Sequence, residues 1–303
     1  MELQIELAGT TITIDLLDQA EKAVTLCNTW FRGFLLQGKR SHARVKVRIV
    51  GKGGKRFPVR SRFWNPVFER LLSNKEVAEW VRRVPGYEND LRISEKTICS
   101  FCLNGLLLFD PGTSAGCIYL LTQGPKRFTP LYRVLWTYFA QVLGEKKQCF
   151  VHAAALVRDQ MGYLFLGDSG AGKSTLSRSC RDCHVFSDDS PIMGEQDGKY
   201  LVFPSPFQQM DPFGSLNEEI AGKSAEVKGF YFIKKDKHLY LEELSRKKAV
   251  SMIVHRHIHF FSYLSVQARV AIFDLFRKSC HNIPAYDFYF TQNGDGLQFI
   301  ASI

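Results

Sequence analysis

Hydrophobic and polar positions follow different patterns in the two halves of the chain. In the first half, short runs with alternating or continuous apolar residues predict strands at residues 3–7, 10–14 and 97–109. Apolar residues that recur at three- and four-residue spacing predict helices at residues 76–84 and 130–143. The first half is therefore expected to be a strand-rich α+β unit.

The second half alternates strands and helices, which is typical of an α/β nucleotide-binding unit. Strands are predicted at residues 149–156, 163–166, 184–186, 199–203, 229–234 and 285–290. Helices are predicted at residues 173–181 and 266–279. Since the two patterns meet near residues 144–148, we expect two domains, residues 1–145 and residues 146–303.

The composition is that of a globular protein, with 45% hydrophobic and 13% aromatic residues among 303. The opening residues MELQIELAG do not resemble a signal peptide, and the most apolar window, residues 131–143, is too short to span a bilayer and contains Arg133. The eight cysteines show no regular framework, which suits reduced thiols. We expect a cytoplasmic protein without a membrane partner.

The positive charge of the chain is concentrated in one segment. The formal net charge is +10, and between Lys39 and Arg62 ten residues are basic and none is acidic. Apolar and basic residues alternate over residues 43–49, GKGG follows, and residues 57–62 continue the pattern, which predicts a hairpin with a basic face. Three interpretations stay open: a solvated surface, a site for an acidic protein or peptide, and a nucleic-acid surface.

The strongest chemical signal is GDSGAGKS at residues 167–174, which matches Gly-x-x-x-x-Gly-Lys-[Ser/Thr] between a predicted strand and a predicted helix. Such a loop turns backbone N–H groups toward a phosphate, so we expect a nucleotide as the ligand. Lys173 is expected to reach the β-phosphate and Ser174 to face Mg²⁺. The expected nucleotide-binding residues are Gly167, Asp168, Ser169, Gly170, Ala171, Gly172, Lys173, Ser174 and Thr175.

An acidic pair, Asp188 and Asp189, follows the strand after the loop helix. At that position one carboxylate can bind Mg²⁺ while the other accepts a proton from an attacking hydroxyl. The alternative is a solvated acidic turn formed with Ser187 and Ser190.

These residues carry a resemblance to a family. The runs FVHAAALVRDQMGYLFLGDSGAGKSTL and VFSDDSPIM resemble the kinase domain of HPr kinase, which shares a phosphate-loop core with phosphoenolpyruvate carboxykinases. The resemblance covers roughly residues 128–290 and implies phosphoryl transfer from ATP to a serine-like hydroxyl of a protein or peptide. It also implies that His152 and Lys173 are catalytic, that Ser174 holds the metal, and that the acidic pair supplies one base and one metal ligand. The resemblance does not assign these two roles between the aspartates; we take Asp188 as the catalytic base and Asp189 as the metal ligand.

A fainter match concerns the segment EVKG, which begins at Glu226. HPr kinases carry Glu-x-Arg-Gly there, so the resemblance adds Glu226 to the metal ligands. Lys228 replaces the arginine, and lysine lacks the two-pronged contact of a guanidinium, which argues against reverse phosphorolysis and against HPr as the substrate. The chain looks more like related kinases of peptide-modification clusters. Because HPr kinases are hexamers, the resemblance also implies self-association.

A different class of function stays open beside the kinase. In it the chain is a non-catalytic protein that ATP gates and that docks an acidic partner or nucleic acid through the basic hairpin. Two Cys-x-x-Cys pairs, beginning at Cys99 and Cys180, lie in different halves and are not expected to share a zinc ion. The alternating His255, His257 and His259 are expected on a partly exposed strand or helix start, with metal binding as the alternative.

Overall fold

The fold is known from a computed structural model, which describes residues 1–17, 21–50, 70–71, 74–82, 84, 93–102, 105–121, 129–179, 183–207, 220–290 and 300. These residues form two β-sheets with helices between and around them. The expected α/β class is confirmed at this level. No helix formed by the described residues is both long enough and apolar enough to cross a membrane.

The first sheet contains all the strands that precede residue 129. Its order is β3 (Leu35–Leu36), β1 (Glu2–Leu7), β2 (Thr10–Leu16), β4 (Ala43–Val50), β8 (Ala115–Leu121), β7 (Gly105–Asp110), β6 (Ile98–Cys102) and β5 (Arg70–Leu71). Helices α1 (Glu21–Trp30) and α2 (Asn74–Val81) accompany it. The single strand expected at residues 97–109 is two antiparallel strands, β6 and β7, and α1 and β8 were not predicted.

The prediction of a basic hairpin is wrong in its pairing. Over residues 43–47, β4 is an interior strand, with β2 parallel on one edge and β8 parallel on the other. A second hairpin arm therefore has no free edge of β4 to join there, and residues 51–69 lie outside the described part of the chain. Part of the basic face is also neutralised, because Arg44 Nη1 lies 2.9 Å from the Asp15 carboxylate and 3.2 Å from that of Glu2.

Helix α3 (Thr129–Glu145) lies between the two sheets and contacts strands of both. Toward the first sheet, the Tyr138 ring packs edge-on against Phe109, with 5.9 Å between the ring centroids. Toward the second, Trp136 stacks on Phe207 at 4.9 Å. One continuous hydrophobic core therefore joins the two halves, and the expected domain boundary at residue 145 falls between sheets that share this core.

The second sheet carries the phosphate loop. Its order is β12 (His184–Ser187), β10 (Ala153–Arg158), β11 (Met161–Leu166), β15 (Ala225–Lys235), β14 (Lys199–Phe203), β13 (Ile192–Gln196) and β9 (Cys149–Phe150). Strand β17 (Ala285–Phe290) pairs with β15 and with β16 (Tyr240–Glu243). The strands β11, β15 and β17 run parallel, so their carboxyl ends meet at one edge of the sheet.

Helices cover both faces of the second sheet because its strands are apolar on both sides. On β10, Ala154 and Leu156 pack in the same cluster as Leu176 of α4 (Lys173–Ser179). Ala153, Ala155 and Val157 belong to the opposite cluster, with α5 (Arg246–Arg256) and α6 (Val266–Asn282). This period of two places α4 and its loop on one side of the sheet and the pair α5 and α6 on the other.

Candidate phosphate-binding site

The loop at residues 167–172 leaves β11 at the carboxyl end of the sheet and leads into α4. Gly170 and Gly172 have φ angles of +79° and +117°, which side chains other than hydrogen rarely allow. Gly167 is required for another reason, since a Cβ there would lie 2.7 Å from the Cβ of Ala171. The glycines that the motif specifies are thus needed to form this turn.

Lys173, the first residue of α4, is only 6% exposed. Its Nζ donates to the carbonyl oxygen of Gly167 at 2.7 Å and lies 3.0 Å from His152 Nε2. Burial lowers the pKa of Lys173, although the negative charges of Asp189, Asp168 and Asp188 oppose this shift. A buried lysine with a perturbed pKa and charged neighbours beside a cavity is a candidate functional site.

A cavity of about 150 Å³ opens beside this lysine. Its walls are the loop, the start of α4 and His152 from the turn between β9 and β10, namely His152, Ser169, Gly170, Gly172, Lys173, Ser174 and Thr175. Seven residues that the sequence singled out for nucleotide contact or catalysis therefore line one cavity. Of the other expected loop residues, Gly167 and Ala171 shape the turn, and the Asp168 side chain is exposed.

The acidic pair lies in a tight turn after β12. The hydroxyl of Ser187 accepts hydrogen bonds from the backbone N–H groups of Ser190, at 2.8 Å, and Asp189, at 3.3 Å. Asp188 is 1% exposed, so the alternative of a solvated acidic turn is wrong. The negative charges of both carboxylates raise the pKa of Lys173. Because this effect needs proximity, the acidic pair lies near the loop.

Asp189 and Lys173 are joined through one nitrogen of His152. His152 Nε2 lies 3.3 Å from Asp189 Oδ1 and 3.0 Å from Lys173 Nζ. Burial alone would raise the pKa of Asp189, but the hydrogen bond from His152 and the nearby His259 and Lys173 lower it. Because Nε2 either carries a proton or accepts one, His152 bonds to Asp189 in one tautomer and accepts from Lys173 in the other.

Two further histidines, His257 and His259, reach this site, and the expectation of a partly exposed strand or helix start is wrong for His257, which is buried. Helix α5 ends at Arg256, and Ile258 then forms a bridge with Val151 beside His152. The backbone N–H of His152 donates to the carbonyl of His257 at 2.8 Å. The ring centroid of His152 is 6.1 Å from that of His257 and 5.2 Å from that of His259.

His259 supports the acidic turn. Its Nε2 lies 3.1 Å from Ser190 Oγ, and that hydroxyl donates to Asp189 Oδ2 at 3.2 Å. Burial lowers the pKa of His259 to about 3, against the attraction of Asp189. Its ring also packs against Trp136 of α3. The helix between the sheets therefore supports the acidic turn through His259.

His257 is 3% exposed, and burial lowers its pKa to about 4. The alternation His-Arg-His-Ile-His places two of these rings on one side, but nothing local to the sequence showed that His152 lies opposite. His255 and Arg256 are exposed at the end of α5.

Glu226 does not belong to this site, and its expected role as a metal ligand is wrong. It pairs in register with Met161 at the start of β11, whereas the phosphate loop follows Leu166 at the other end of that strand. Five residues of extended chain separate the two ends by roughly 17 Å. The Glu226 carboxylate instead accepts from Lys199 Nζ at 2.9 Å on the surface.

The described residues contain no group of three or more His, Cys, Asp or Glu side chains arranged to hold a metal ion. Burial raises the pKa of Cys99 to about 12, so this thiol of the first Cys-x-x-Cys pair is poorly suited to zinc. No protein-family model matches the chain, and no curated protein matches it in sequence.

Proposed function

We propose that the chain is a Mg²⁺-dependent phosphotransferase that moves a phosphoryl group from ATP to a serine-like hydroxyl of a protein or peptide, as in the HPr kinases that it resembles. The observation that carries the proposal is that His152 Nε2, at the wall of the loop cavity, lies within hydrogen-bond distance of both Lys173 Nζ and Asp189 Oδ1. A cation suited to bind phosphate and a carboxylate suited to accept a proton therefore lie on either side of one imidazole nitrogen.

Lys173 is suited to hold the terminal phosphates. Its ammonium group bonds the neutral carbonyl of Gly167. An anionic phosphate oxygen is a stronger acceptor for an ammonium group than a neutral carbonyl is, because the two groups then carry opposite charges. Phosphate oxygens in the cavity would therefore compete for the lysine, while the amides of the loop hold the remaining oxygens.

The acidic pair is suited to the acceptor side of the reaction. One carboxylate takes the proton of the acceptor hydroxyl while the acceptor oxygen bonds to the γ-phosphorus. The bond from that phosphorus to the bridging oxygen breaks, and ADP leaves. Asp188 as base is the assignment from sequence, but the contact of His152 with Asp189 favours Asp189, which is also the more exposed of the two.

The residues present fit Mg²⁺. This ion usually takes one or two carboxylates, phosphate oxygens and waters, so it does not need a cluster of three protein ligands. Ser174 lines the cavity, and Asp188 and Asp189 lie on its lysine side, so Ser174 and one of the carboxylates would hold the ion. When bound, Mg²⁺ neutralises charge on the β- and γ-phosphates.

The test follows radiolabelled ATP with Mg²⁺ and serine-containing peptides, with the same peptides carrying alanine as controls. We expect label on the serine peptides only, and slow hydrolysis of ATP by water when no peptide is added. Nucleotide binding accompanied by neither transfer nor hydrolysis would overturn the kinase proposal. That result would favour the alternative function, a non-catalytic protein whose binding to a partner is controlled by ATP.

A further inference from the structure

A large cavity among the described residues is separate from the phosphate loop. It is a groove of about 1160 Å³ between α5 and α6, on the outer side of the two helices. Its apolar wall consists of Val250, Val254, Phe261, Val266, Val270 and Phe273. We call it the α5–α6 groove.

Helix α6 has two apolar stripes, although a surface helix normally has one. The first stripe includes Ala268, Ile272 and Phe276 and is buried in the core. The second consists of Val266, Val270 and Phe273, which are 59%, 63% and 46% exposed. Their spacing of four and three residues places them on one side of the helix, facing the groove. A contiguous apolar surface of this kind is typical of an interaction site.

The groove has a basic rim. Its lining contains Arg246, Lys247, Arg269, Arg277 and Lys278, and no aspartate or glutamate among the described residues lines it. Asp274, outside the lining, accepts from Arg277 at 2.6 Å and Lys278 at 2.9 Å, and so neutralises part of this charge. The rim remains positive, which favours an acidic ligand.

The groove is about one short helix long. Helix α6 runs antiparallel to α5, because Arg246 at the start of α5 bonds to His281 near the end of α6. The 11 residues of α5 extend over about 16 Å, or three turns. An amphipathic helix placed in such a groove would set an apolar stripe on the valines and its remaining side chains near the rim.

We infer that the α5–α6 groove docks an acidic amphipathic helix of a partner protein. A second copy that presented the same face would oppose basic rims, which costs free energy. A bilayer is flat and cannot enter a concave groove, and the apolar wall does not suit nucleic-acid phosphates. The inference does not depend on the proposed kinase activity, because it concerns binding at a separate surface.

The binding test uses fluorescence anisotropy with a labelled helical peptide of about 14 residues, leucine on one face and glutamate on the other. One control peptide carries lysine for glutamate, and another carries serine for leucine. We expect the acidic amphipathic peptide to bind about tenfold or more tightly than either control. Equal binding of all three peptides would overturn the inference.

Matched protein variants locate the binding. We expect Val270→Glu and Lys247→Glu each to weaken binding of the acidic peptide by about tenfold. The same changes on exposed residues of the first half, Leu17→Glu and Lys96→Glu, should leave it within about twofold. Lys247 is exposed, so its variant keeps the test valid even if Val270→Glu does not fold.

Two other occupants are outcomes of the same test. If the protein bound vesicles that contain phosphatidylserine and Val270→Glu abolished this binding, the ligand of the groove would be a membrane surface and not a helix. A dimer detected by sedimentation, lost in the same variant, would replace it by a second copy. Either result, without tighter binding of the acidic peptide, would overturn the inference.

Discussion

The candidate phosphate site and the α5–α6 groove both contain basic side chains, but these differ in burial. At the phosphate site the cavity is about 150 Å³, and Lys173 is 6% exposed and held by a carbonyl and a histidine. In the groove the cavity is about 1160 Å³, and Lys247 is exposed. Burial holds the Lys173 ammonium group in one position, which suits a small anion. The exposed basic side chains of the groove can change conformation to pair with the side chains of a longer ligand.

The largest effect that tests this comparison is expected at the acidic pair. Asp188→Asn and Asp189→Asn should each reduce phosphoryl transfer by about 10²–10⁴-fold, because an amide cannot accept the proton or hold the metal well. Nucleotide binding should stay within a few-fold for the variant that lacks the base. Transfer of label and Mg²⁺ titration of the nucleotide affinity separate the base from the metal ligand. Full turnover in both variants would remove the acidic pair from the reaction.

Lysine replacements compare the two sites directly. Lys173→Ala should weaken ATP binding by about 10–100-fold, since a charge-assisted hydrogen bond in a buried site is lost. Lys247→Ala should leave ATP binding unchanged and weaken only the acidic peptide. Calorimetric titration of both variants with both ligands measures this. A similar loss of ATP affinity in the two variants would contradict the division into separate sites.

The buried histidines predict a dependence of stability on pH. The pKa of His257 falls from 6.5 to about 4 on folding. Below pH 6.5 the unfolded chain binds a proton that the folded chain does not, so stability is present above that pH and is lost as the pH falls toward 4. His257→Gln should reduce this loss by about 1–3 kcal/mol in urea unfolding at pH 7 and pH 4.5.

The matched control is His238→Gln, at an exposed turn between β15 and β16. It should leave the difference in unfolding free energy between the two pH values unchanged. An equal effect of both replacements would show that burial of His257 does not cause the acid sensitivity.

The smallest effect is expected at the groove rim. Asp274 neutralises Arg277 and Lys278, and the three side chains are exposed. Asp274→Asn should therefore strengthen binding of the acidic peptide by about two- to threefold at low salt and leave the stability of the fold nearly unchanged. Anisotropy at two salt concentrations measures this. Weaker binding in the variant would show that the rim does not act through its positive charge.

Local sequence patterns predicted which segments form strands better than they predicted which strands pair with each other. The period of two on β4 correctly predicted a strand, yet over residues 43–47 its partners are β2 and β8, which the pattern did not indicate. The strand expected at residues 149–156 divides into β9 and β10, because Val151 bridges Ile258 from the other end of the half. In both cases the pairing partner is far away in the sequence. A local periodic pattern predicts that a strand forms but does not show which distant segment pairs with it.

The sequence by itself determined the phosphate loop, since its glycines and Lys173 act within eight consecutive residues and the required φ angles are local. Asp188 and Asp189 were also found from their place after a predicted strand, and His152 from the resemblance to HPr kinases. Only the tertiary structure decided that His257 and His259 support them and that Glu226 lies at the opposite end of the sheet. The reason is that strand register and helix packing depend on the whole core, which no short stretch of sequence encodes.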